Sequence, residues 1–279
     1  MTAVSFDRRG RRLRFTARHA TVLDVRYVAP SIVRIRVTGS DLSDMVSEGP
    51  TDHVRVFVPD PATGELVAPA AIGPDVDGIV RPDRPSHGRD LTPMTIERVN
   101  EHTVLSLDVA LHPEPGPLGD WAFGAVPGAE IVIVGPRGTK SVVQDARCIL
   151  LIADATALPS CARWAREVPP ATAVEVVVLS GAGSEGAAAY LAEQSGRSDL
   201  QVTPVHSIAE LMHTVRARGV DGTTYVSAAG EAGAMAEVRR WLRRELELPR
   251  AQYTVSGYWK RGVSAFDHHA PLDPSDPDD

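Results

Sequence analysis

Cysteine and aromatic residues are scarce in this chain, which has two cysteines and 5% Phe, Trp and Tyr among its 279 residues. Two cysteines do not make the disulfide framework of a small secreted protein, so Cys148 and Cys161 are expected to be small, buried side chains. A long apolar run is also missing, since no stretch approaches the ~20 residues that span a bilayer. Residues 1–14 are basic and lack the apolar segment of a secretion signal. We therefore expect a cytoplasmic protein without membrane insertion.

Positive charge is in deficit, because 36 acidic residues against 29 basic ones give a formal net charge of -7. A nucleic-acid-binding protein needs a basic face for the phosphates, so the balance argues against that class of partner. Part of the acidic excess lies in residues 266–279, which we predict to be a disordered tail. His268 and His269 in that tail lack the neighbours of a metal site, and no metal site is expected. The composition does not indicate an oligomeric state.

The first half of the chain, residues 1–142, is predicted to be an antiparallel β-barrel domain. Residues 20–28 and 31–38 alternate apolar and polar side chains on either side of an Ala-Pro turn. Further strand patterns occur at residues 52–59, 94–99, 102–110 and 130–134. A Pro/Gly-rich loop occupies residues 60–88. Several short strands separated by turns are typical of a small barrel.

The second half, residues 143–265, alternates strand and helix patterns and is predicted to be an α/β domain with a parallel sheet. The strands are expected at 149–153, 174–179, 201–205, 224–228 and 253–259, with helices at 158–167, 185–194, 208–218 and 232–246. After the first of these strands, Asp154-Ala155-Thr156 opens a helix, and the free N–H groups of a helix N-terminus favour an anion. Helix capping alone would also explain Asp154 and Thr156.

At these positions the chain resembles the siderophore-interacting protein family of flavin- and NAD(P)H-dependent ferric-siderophore reductases, which have the ferredoxin-reductase-like fold. The resemblance extends over residues 21–262. The matching segments, in chain order, are Asp52-His53-Val54-Arg55-Val56 with Pro59, Arg89-Asp90-Leu91-Thr92, Gly116-Pro117 with Trp121-Ala122, Pro127-Gly128, Gly135-Pro136-Arg137-Gly138, Ala153-Asp154-Ala155-Thr156-Ala157-Leu158-Pro159, Ala229-Gly230-Glu231-Ala232 and Gly257-Tyr258-Trp259-Lys260-Arg261-Gly262.

The resemblance implies that FAD binds the barrel domain, and that two segments hold it. The family's Arg-x-Tyr-Thr signature corresponds to Arg89, Leu91 and Thr92, so Leu91 replaces the aromatic residue that packs on the flavin ring. Met94 stands at the position of the family's second arginine.

The second segment is the family's diphosphate turn, which corresponds to Gly116, Pro117, Gly119 and Trp121. Gly119 replaces a serine of the family, and Asp120 replaces an arginine. A carboxylate beside a diphosphate is repulsive, by roughly 4 kcal/mol at ~4 Å and an effective dielectric constant near 20. A core tryptophan in a structural turn is the alternative interpretation of this segment.

The same resemblance places NAD(P)H on the second domain, near Asp154, Thr156, Gly230 and Glu231. Asp154 and Glu231 are candidate catalytic carboxylates, although Glu231 also begins a helix, where its charge is favourable without any ligand. His112 is a third catalytic candidate, because its ordinary pKa suits acid–base chemistry and it precedes the altered turn. Lys260 and Arg261 match the family's basic residues that hold anionic ferric siderophores. Each of these side chains could instead be a solvated surface group.

Two functions remain open at this point. The resemblance implies a flavin oxidoreductase that reduces ferric siderophores with NAD(P)H. The altered flavin motifs suggest an alternative, in which a flavin-independent relative uses an inter-domain pocket to catalyse a non-redox cyclisation or rearrangement of a natural-product intermediate. In both cases the partner is a small-molecule substrate.

Overall fold

The computed structural model describes residues 4–112, 116–181, 184–263, 266–267 and 271–273. The chain divides into two compact units, Arg9–Ser141 and Val142–Asp279, the second of which includes Met1–Arg8. Most of the predicted acidic tail lies outside the described residues, as do His268 and His269. Within the described part of the chain, no helix has the length and apolar character needed to cross a membrane.

The first unit consists almost entirely of strands. They are β1 (Gly10–Arg12), β2 (Ala17–Ala29), β3 (Ile32–Thr38), β4 (Val54–Val58), β5 (Ala70–Ala71), β6 (Ile79–Val80), β7 (His87–Leu91), β8 (Pro93–Val99), β9 (His102–Ala110), β10 (Glu130–Val134) and β11 (Gly138–Lys140). One α-helix, α1 (Pro117–Gly124), lies between β9 and β10, and a short 3-10 helix spans Ser40–Leu42.

Seven of these strands form one antiparallel sheet in the order β7-β4-β10-β2-β3-β9-β8. The two edge strands, β7 and β8, follow each other along the chain with Thr92 alone between them. Because one residue cannot cross an open seven-stranded sheet, the edges must meet, and the sheet closes into the predicted barrel. Alternate residues of the strands fill the interior, including Val33, Ile35 and Val37 of β3.

Two buried carboxylates stabilise the first unit. Asp108 of β9 lies opposite Arg34 of β3 and accepts two hydrogen bonds from its guanidinium, each at 2.7 Å. Asp52, which belongs to a motif of the sequence, accepts bonds from the amide N–H of Glu48 and Gly49 and from the Thr139 hydroxyl. The Asp52 carboxylate therefore holds the loop at Glu48 and Gly49 against β11.

The second unit contains a parallel five-stranded sheet with helices between its strands. The strands are β12 (Cys148–Ala153), β13 (Ala173–Leu179), β14 (Gln201–Val205), β15 (Thr224–Glu231) and β16 (Tyr253–Trp259), in the order β14-β13-β12-β15-β16. The helices are α2 (Leu158–Glu167), α3 (Ala187–Ser195), α4 (Ile208–Arg218) and α5 (Ala232–Arg240). Every residue of the central strand β12 is buried, as expected for a strand with both faces covered. The predicted fold class, an antiparallel β-barrel domain followed by an α/β domain with a parallel sheet, is thereby confirmed.

The structure differs from the sequence expectations in several places. Residues 117–124, predicted to be a turn, form α1, and the last residues of the predicted loop begin β7. The predicted helix over 232–246 changes at Trp241 into a π-helical turn, Trp241–Glu245. At the N-terminus, expected within the barrel domain, the Arg8 guanidinium lies 4.9 Å from the ring centre of Trp164, and Phe6 packs on Tyr225. These aromatic contacts hold the first residues on the second unit.

Candidate functional site

In the first unit, the structure brings together the two segments predicted to hold a diphosphate. Arg89 lies in the middle of β7, and Gly116 is the residue that precedes the first turn of α1. A Cβ atom built on Gly116 would lie 3.8 Å from the Arg89 Nη2 atom. The guanidinium is therefore beside the N-terminus of the helix, where Pro117 occupies the first position and no side chain caps the helix.

The Arg89 guanidinium keeps donors for a ligand. It is half-buried, and among the described residues it makes one hydrogen bond, to the Gly88 carbonyl oxygen at 2.8 Å. Burial lowers the pKa of Arg89, the charge of Arg55 lowers it further and Asp90 opposes both; an arginine stays protonated in a protein nonetheless. Asp90 is itself paired with Arg55 at 3.1 Å.

A half-buried cation beside an uncapped helix N-terminus fits the diphosphate of FAD. One residue works against it: Asp120 is exposed and lies four positions after Gly116, on the same face of α1. The site therefore combines two attractive features with one carboxylate, and we conclude that its residues fit an anionic cofactor.

The remaining candidates of the first unit occupy different environments. Leu91 and Trp121 are half-buried and pack against the barrel core, and Thr92 is buried between β7 and β8. Gly119 is half-buried within α1, whereas His112 is exposed and directly precedes residues 113–115, which lie outside the described part. The leucine at position 91 thus contributes apolar contacts to the barrel, where the family has an aromatic ring.

In the second unit, Asp154 stands at the carboxyl end of β12, and the residue is 8% exposed. Its Oδ1 atom accepts hydrogen bonds from the amide N–H and the hydroxyl of Thr156, at 2.9 and 2.6 Å. Its Oδ2 atom accepts from the amide N–H of Glu231 and from the indole N–H of Trp259, both at 2.8 Å. One carboxylate thus joins the ends of β12, β15 and β16. Burial raises the pKa of Asp154, although all four donors favour its ionised form.

Gly230 owes its identity to this carboxylate. Its φ angle is +151°, and a Cβ atom at this position would lie 2.7 Å from Asp154 Oδ2. A side chain is therefore excluded by sterics as well as by backbone conformation.

Glu231 and the residues after β16 complete the cluster. Glu231 Oε2 accepts the amide N–H of Ala234 at 2.9 Å and caps α5, while Oε1 accepts the amide N–H of Arg261 at 3.2 Å. The Lys260 and Arg261 side chains are exposed. The structure therefore places Asp154, Thr156, Gly230, Glu231 and the Lys260–Arg261 turn at one end of the sheet, which is where ligands bind in open α/β folds.

Sequence reasoning missed Trp259 as a member of this cluster. Trp259 belongs to the Gly257-Tyr258-Trp259-Lys260-Arg261-Gly262 motif, from which the two cations alone were selected. The signal that could have identified it is an indole next to a predicted site, since a buried indole N–H needs an acceptor. Asp154 provides that acceptor only because residues separated by 105 positions of sequence lie close together at one end of the sheet.

Comparison with known proteins identifies the family of the chain. Residues 21–140 match the profile of the siderophore-interacting FAD-binding domain, and residues 146–262 match the profile of siderophore-interacting proteins. The solved structure of a siderophore utilization protein from T. fusca has a TM-score of 0.81 and 32% identity, and covers 95% of this chain and 100% of that chain.

Two named relatives are reductases. The ferric vibriobactin reductase of Vibrio cholerae is 25% identical over 249 residues, which is 88% of this chain and 89% of that protein. The NADPH-dependent ferric-chelate reductase of Escherichia coli is 34% identical over 152 residues, covering 54% of this chain and 56% of that protein. The family profiles span most of the sequence, and the chain belongs to the siderophore-interacting protein family, with an FAD-binding domain as its first unit.

Proposed function

We propose that this protein is an NAD(P)H-dependent flavin reductase of ferric siderophores. The observation that carries the proposal is the Arg89 guanidinium beside the N-terminus of α1, because this pair can hold the diphosphate of FAD. The names of the Vibrio cholerae and Escherichia coli relatives support the same reaction. None of the relatives named above supports the alternative of a non-redox cyclisation.

In the first unit, the chain's own contribution is binding and orientation. Arg89 supplies charge-assisted hydrogen bonds to the diphosphate, and α1 supplies main-chain N–H groups from its first turn. Pro117 and Trp121 fix that turn, since Trp121 packs on the barrel core. When bound, FAD supplies the chemistry that converts the two-electron transfer from NAD(P)H into single-electron transfers to Fe(III).

In the second unit, we assign NAD(P)H to the carboxyl end of the parallel sheet. Asp154 acts there as a positioning residue, since its carboxylate oxygens already accept four donors of the protein. Glu231 holds the start of α5 and the Arg261 turn in the same manner. Lys260 and Arg261 remain the candidates for the anionic ferric chelate, and His112 the candidate for proton exchange. Because NAD(P)H is an intracellular reductant, the proposal places the reaction in the cytoplasm.

FAD titration of the purified protein, followed by addition of NADPH or NADH and a ferric chelate, tests the reaction. We expect flavin absorbance that either nucleotide bleaches, and Fe(II) that a colorimetric chelator captures. A protein that takes up no FAD, or that yields no Fe(II) from any ferric chelate, would refute the proposal.

Arg89→Ala tests the site. Charge-assisted hydrogen bonds contribute about 1.5–3 kcal/mol, so FAD affinity should fall by about tenfold or more. Arg26→Ala is the matched control, because Arg26 is an exposed arginine of β2 in the same unit. Equal FAD affinity in the wild type and in Arg89→Ala would contradict the placement of the diphosphate.

A further inference from the structure

The first residues of the first unit concentrate positive charge in a chain that is acidic overall. Four arginines fall within residues 9–14, whereas the whole sequence has 36 acidic residues against 29 basic ones. Two of the four, Arg11 and Arg12, belong to β1, whose residues are all exposed. Like charges at this spacing repel one another, so an anion that lies among them lowers the energy of the segment.

Beside β1, arginine side chains surround a cavity of about 170 Å³. They are those of Arg11, Arg12, Arg14 and Arg18, and the wall includes one carboxylate, that of Asp44. The rest of the wall is formed by Leu13, Val46 and Pro136. A single water molecule needs roughly 15 Å³ of such space, so the cavity has room for an ion of several atoms.

The buried side of the cavity is preorganised by its one carboxylate. Arg18 is 3% exposed, and its Nε atom donates to Asp44 Oδ1 at 3.0 Å while Nη1 donates to the Gly135 carbonyl oxygen at 2.9 Å. Arg14 Nη1 donates to Asp44 Oδ2 at 2.8 Å, and Nη2 donates to the Pro74 carbonyl oxygen. Burial raises the pKa of Asp44, but the hydrogen bonds and charges of Arg18 and Arg14 outweigh it and hold the pKa below its ordinary value. Two cations thus share one negative charge.

The open side of the cavity has guanidinium donors that the protein leaves unused. The Arg12 side chain is 85% exposed, and its distance of 3.8 Å from the Asp77 carboxylate makes an ion pair without a hydrogen bond. Arg11 directs Nε and Nη2 at Glu48, which leaves its Nη1 group. The buried Nε atom of Arg14 has no acceptor among the residues that the structure describes. Because each guanidinium has five N–H donors, these side chains have the capacity to bind a further acceptor.

The arrangement favours a tetrahedral oxoanion over a carboxylate. A planar carboxylate matches the two-pronged edge of one guanidinium, whereas the four oxygens of a phosphate accept donors from several guanidiniums at once. The cations of the wall outnumber its carboxylate, although Glu48 and Asp77, the partners of two of them, reduce the excess.

We propose that this cavity binds a phosphoryl group, either as inorganic phosphate or as the phosphate of a small monoester, through Arg11, Arg12 and Arg14, with the buried Arg18 adding its charge. The site goes beyond the proposed reductase function, because it shares no residue with the Arg89–α1 pair or with the cluster around Asp154. The bound anion links β1 to the loop of Asp44 and stabilises the first unit by mass action.

Equilibrium dialysis of the full-length protein against radiolabelled phosphate, in saturating FAD and at an ionic strength held constant with chloride, tests the site. FAD is included because its diphosphate competes with phosphate at Arg89. We expect saturable binding of a single phosphate per chain, and much weaker competition by acetate. Absence of saturable binding, or competition by acetate as effective as that by unlabelled phosphate, would overturn the proposal.

Competition by glycerol 3-phosphate distinguishes the two sources of the phosphoryl group. Stronger competition than by unlabelled phosphate would assign the site to a monoester, and weaker competition would assign it to the free ion. Both results support a phosphoryl site.

Arg12→Gln tests the residue assignment without a cost in folding, since the side chain is exposed. It should weaken phosphate binding by about twofold to fivefold, which is the effect of one exposed charge. Arg26→Gln is the matched control, because Arg26 is an exposed arginine of β2 in the same unit, and it should change nothing. Equal affinity in the wild type and in Arg12→Gln would overturn the proposal.

Asp44→Asn separates anion binding from damage to the cavity, because the two have opposite signs. Removal of the carboxylate from the wall should tighten phosphate binding by about twofold to fivefold, whereas damage would weaken it. Weaker binding by an Asp44→Asn protein whose far-UV circular dichroism matches the wild type would overturn the proposal. Should Asp44→Asn fail to fold, the comparison of Arg12→Gln with Arg26→Gln decides, since both replace exposed side chains.

Discussion

Replacing Gly230 by alanine directs a methyl group at the carboxylate that joins three strands of the second unit. The new Cβ atom would lie 2.7 Å from Asp154 Oδ2 and 2.8 Å from its Cγ atom, closer than any tolerated contact. Asp154 cannot move away without loss, because Oδ2 accepts the Glu231 amide N–H and the Trp259 indole N–H. The backbone adds a second cost, since φ at Gly230 is +151°.

The magnitude follows from these two contributions. A non-glycine residue in a strained backbone region costs about 1–3 kcal/mol. Weakening one or both hydrogen bonds to a buried carboxylate adds about 1.5–3 kcal/mol each. We expect Gly230→Ala to lower the free energy of unfolding of the second unit by about 3–5 kcal/mol, and to loosen the ring of Trp259.

Urea denaturation followed by tryptophan fluorescence measures this effect, because Trp164, Trp241 and Trp259 of the four tryptophans lie in the second unit. Gly196→Ala is the matched control: its φ is +70°, and no atom lies within 4 Å of the added Cβ atom. It carries backbone strain without the clash and should cost about 1–2 kcal/mol.

The combination with Asp154→Ala isolates the clash. Without the carboxylate, Gly230→Ala retains only its backbone cost, so the two substitutions together should destabilise the protein by less than the sum of each alone. Equal destabilisation by Gly230→Ala and Gly196→Ala, or strict additivity with Asp154→Ala, would refute the reasoning.

Three further predictions concern residues away from the proposed site. Burial raises the pKa of Cys148 and of Cys161 to about 12, so on the order of one thiol in ten thousand is ionised at pH 8. Neither should react with a disulfide reagent until the chain is unfolded, and rapid reaction of either thiol in the native protein would contradict this. Asp108→Asn should lower the free energy of unfolding by about 3–5 kcal/mol, because it leaves the buried Arg34 charge without its carboxylate; urea denaturation of the variant checks this, and a loss below 1 kcal/mol would show that the ion pair is dispensable. A hydrogen bond from Arg218 of α4 lowers the pKa of Glu175 below its ordinary value of 4.5. The stabilisation given by this pair is therefore present above pH 4.5 and is lost as the pH falls through the lowered pKa. Glu175→Gln should therefore flatten the acid side of the stability–pH curve, and an unchanged curve would contradict the pairing.

Much of the fold could be predicted from the sequence, because the burial of one or both faces of a helix or strand produces a regular pattern of apolar residues. The predicted strands correspond to β2, β3, β4, β8, β9 and β10 of the barrel and to all five strands of the parallel sheet. In the first half, apolar and polar residues alternate because one face of each strand is covered. In the second half, the strands are apolar throughout because both faces of the sheet are covered.

Helix α1 and strand β7 could not be predicted in the same way. The segment Pro117–Gly124 has two glycines in eight residues, so its helix propensity is low, and the barrel contacts of Leu118 and Ala122 stabilise it instead. Strand β7 carries His87, Gly88, Arg89 and Asp90, which have little strand propensity, and its pairing with β4 makes it a strand.

In the candidate site, too, some features could be predicted from the sequence and others depend on the tertiary structure. The sequence motifs identified Arg89, Gly116, Asp154, Gly230, Glu231 and Arg261. They did not indicate which of these residues contact one another. The proximity of Arg89 to Gly116 depends on α1 packing beside β7. The four hydrogen bonds of Asp154 depend on three strand ends that are distant in sequence.

By itself the sequence determined the class of each half, its strand and helix periods and the family to which the chain belongs, since these properties reside in local patterns and in the order of motifs. Only the tertiary structure decided that Asp154 accepts four protein donors, that Gly230 must lack a side chain and that Trp259 is held in an accessible position. These properties depend on distances between atoms of non-adjacent segments, which are set by how β12, β15 and β16 pair in the sheet.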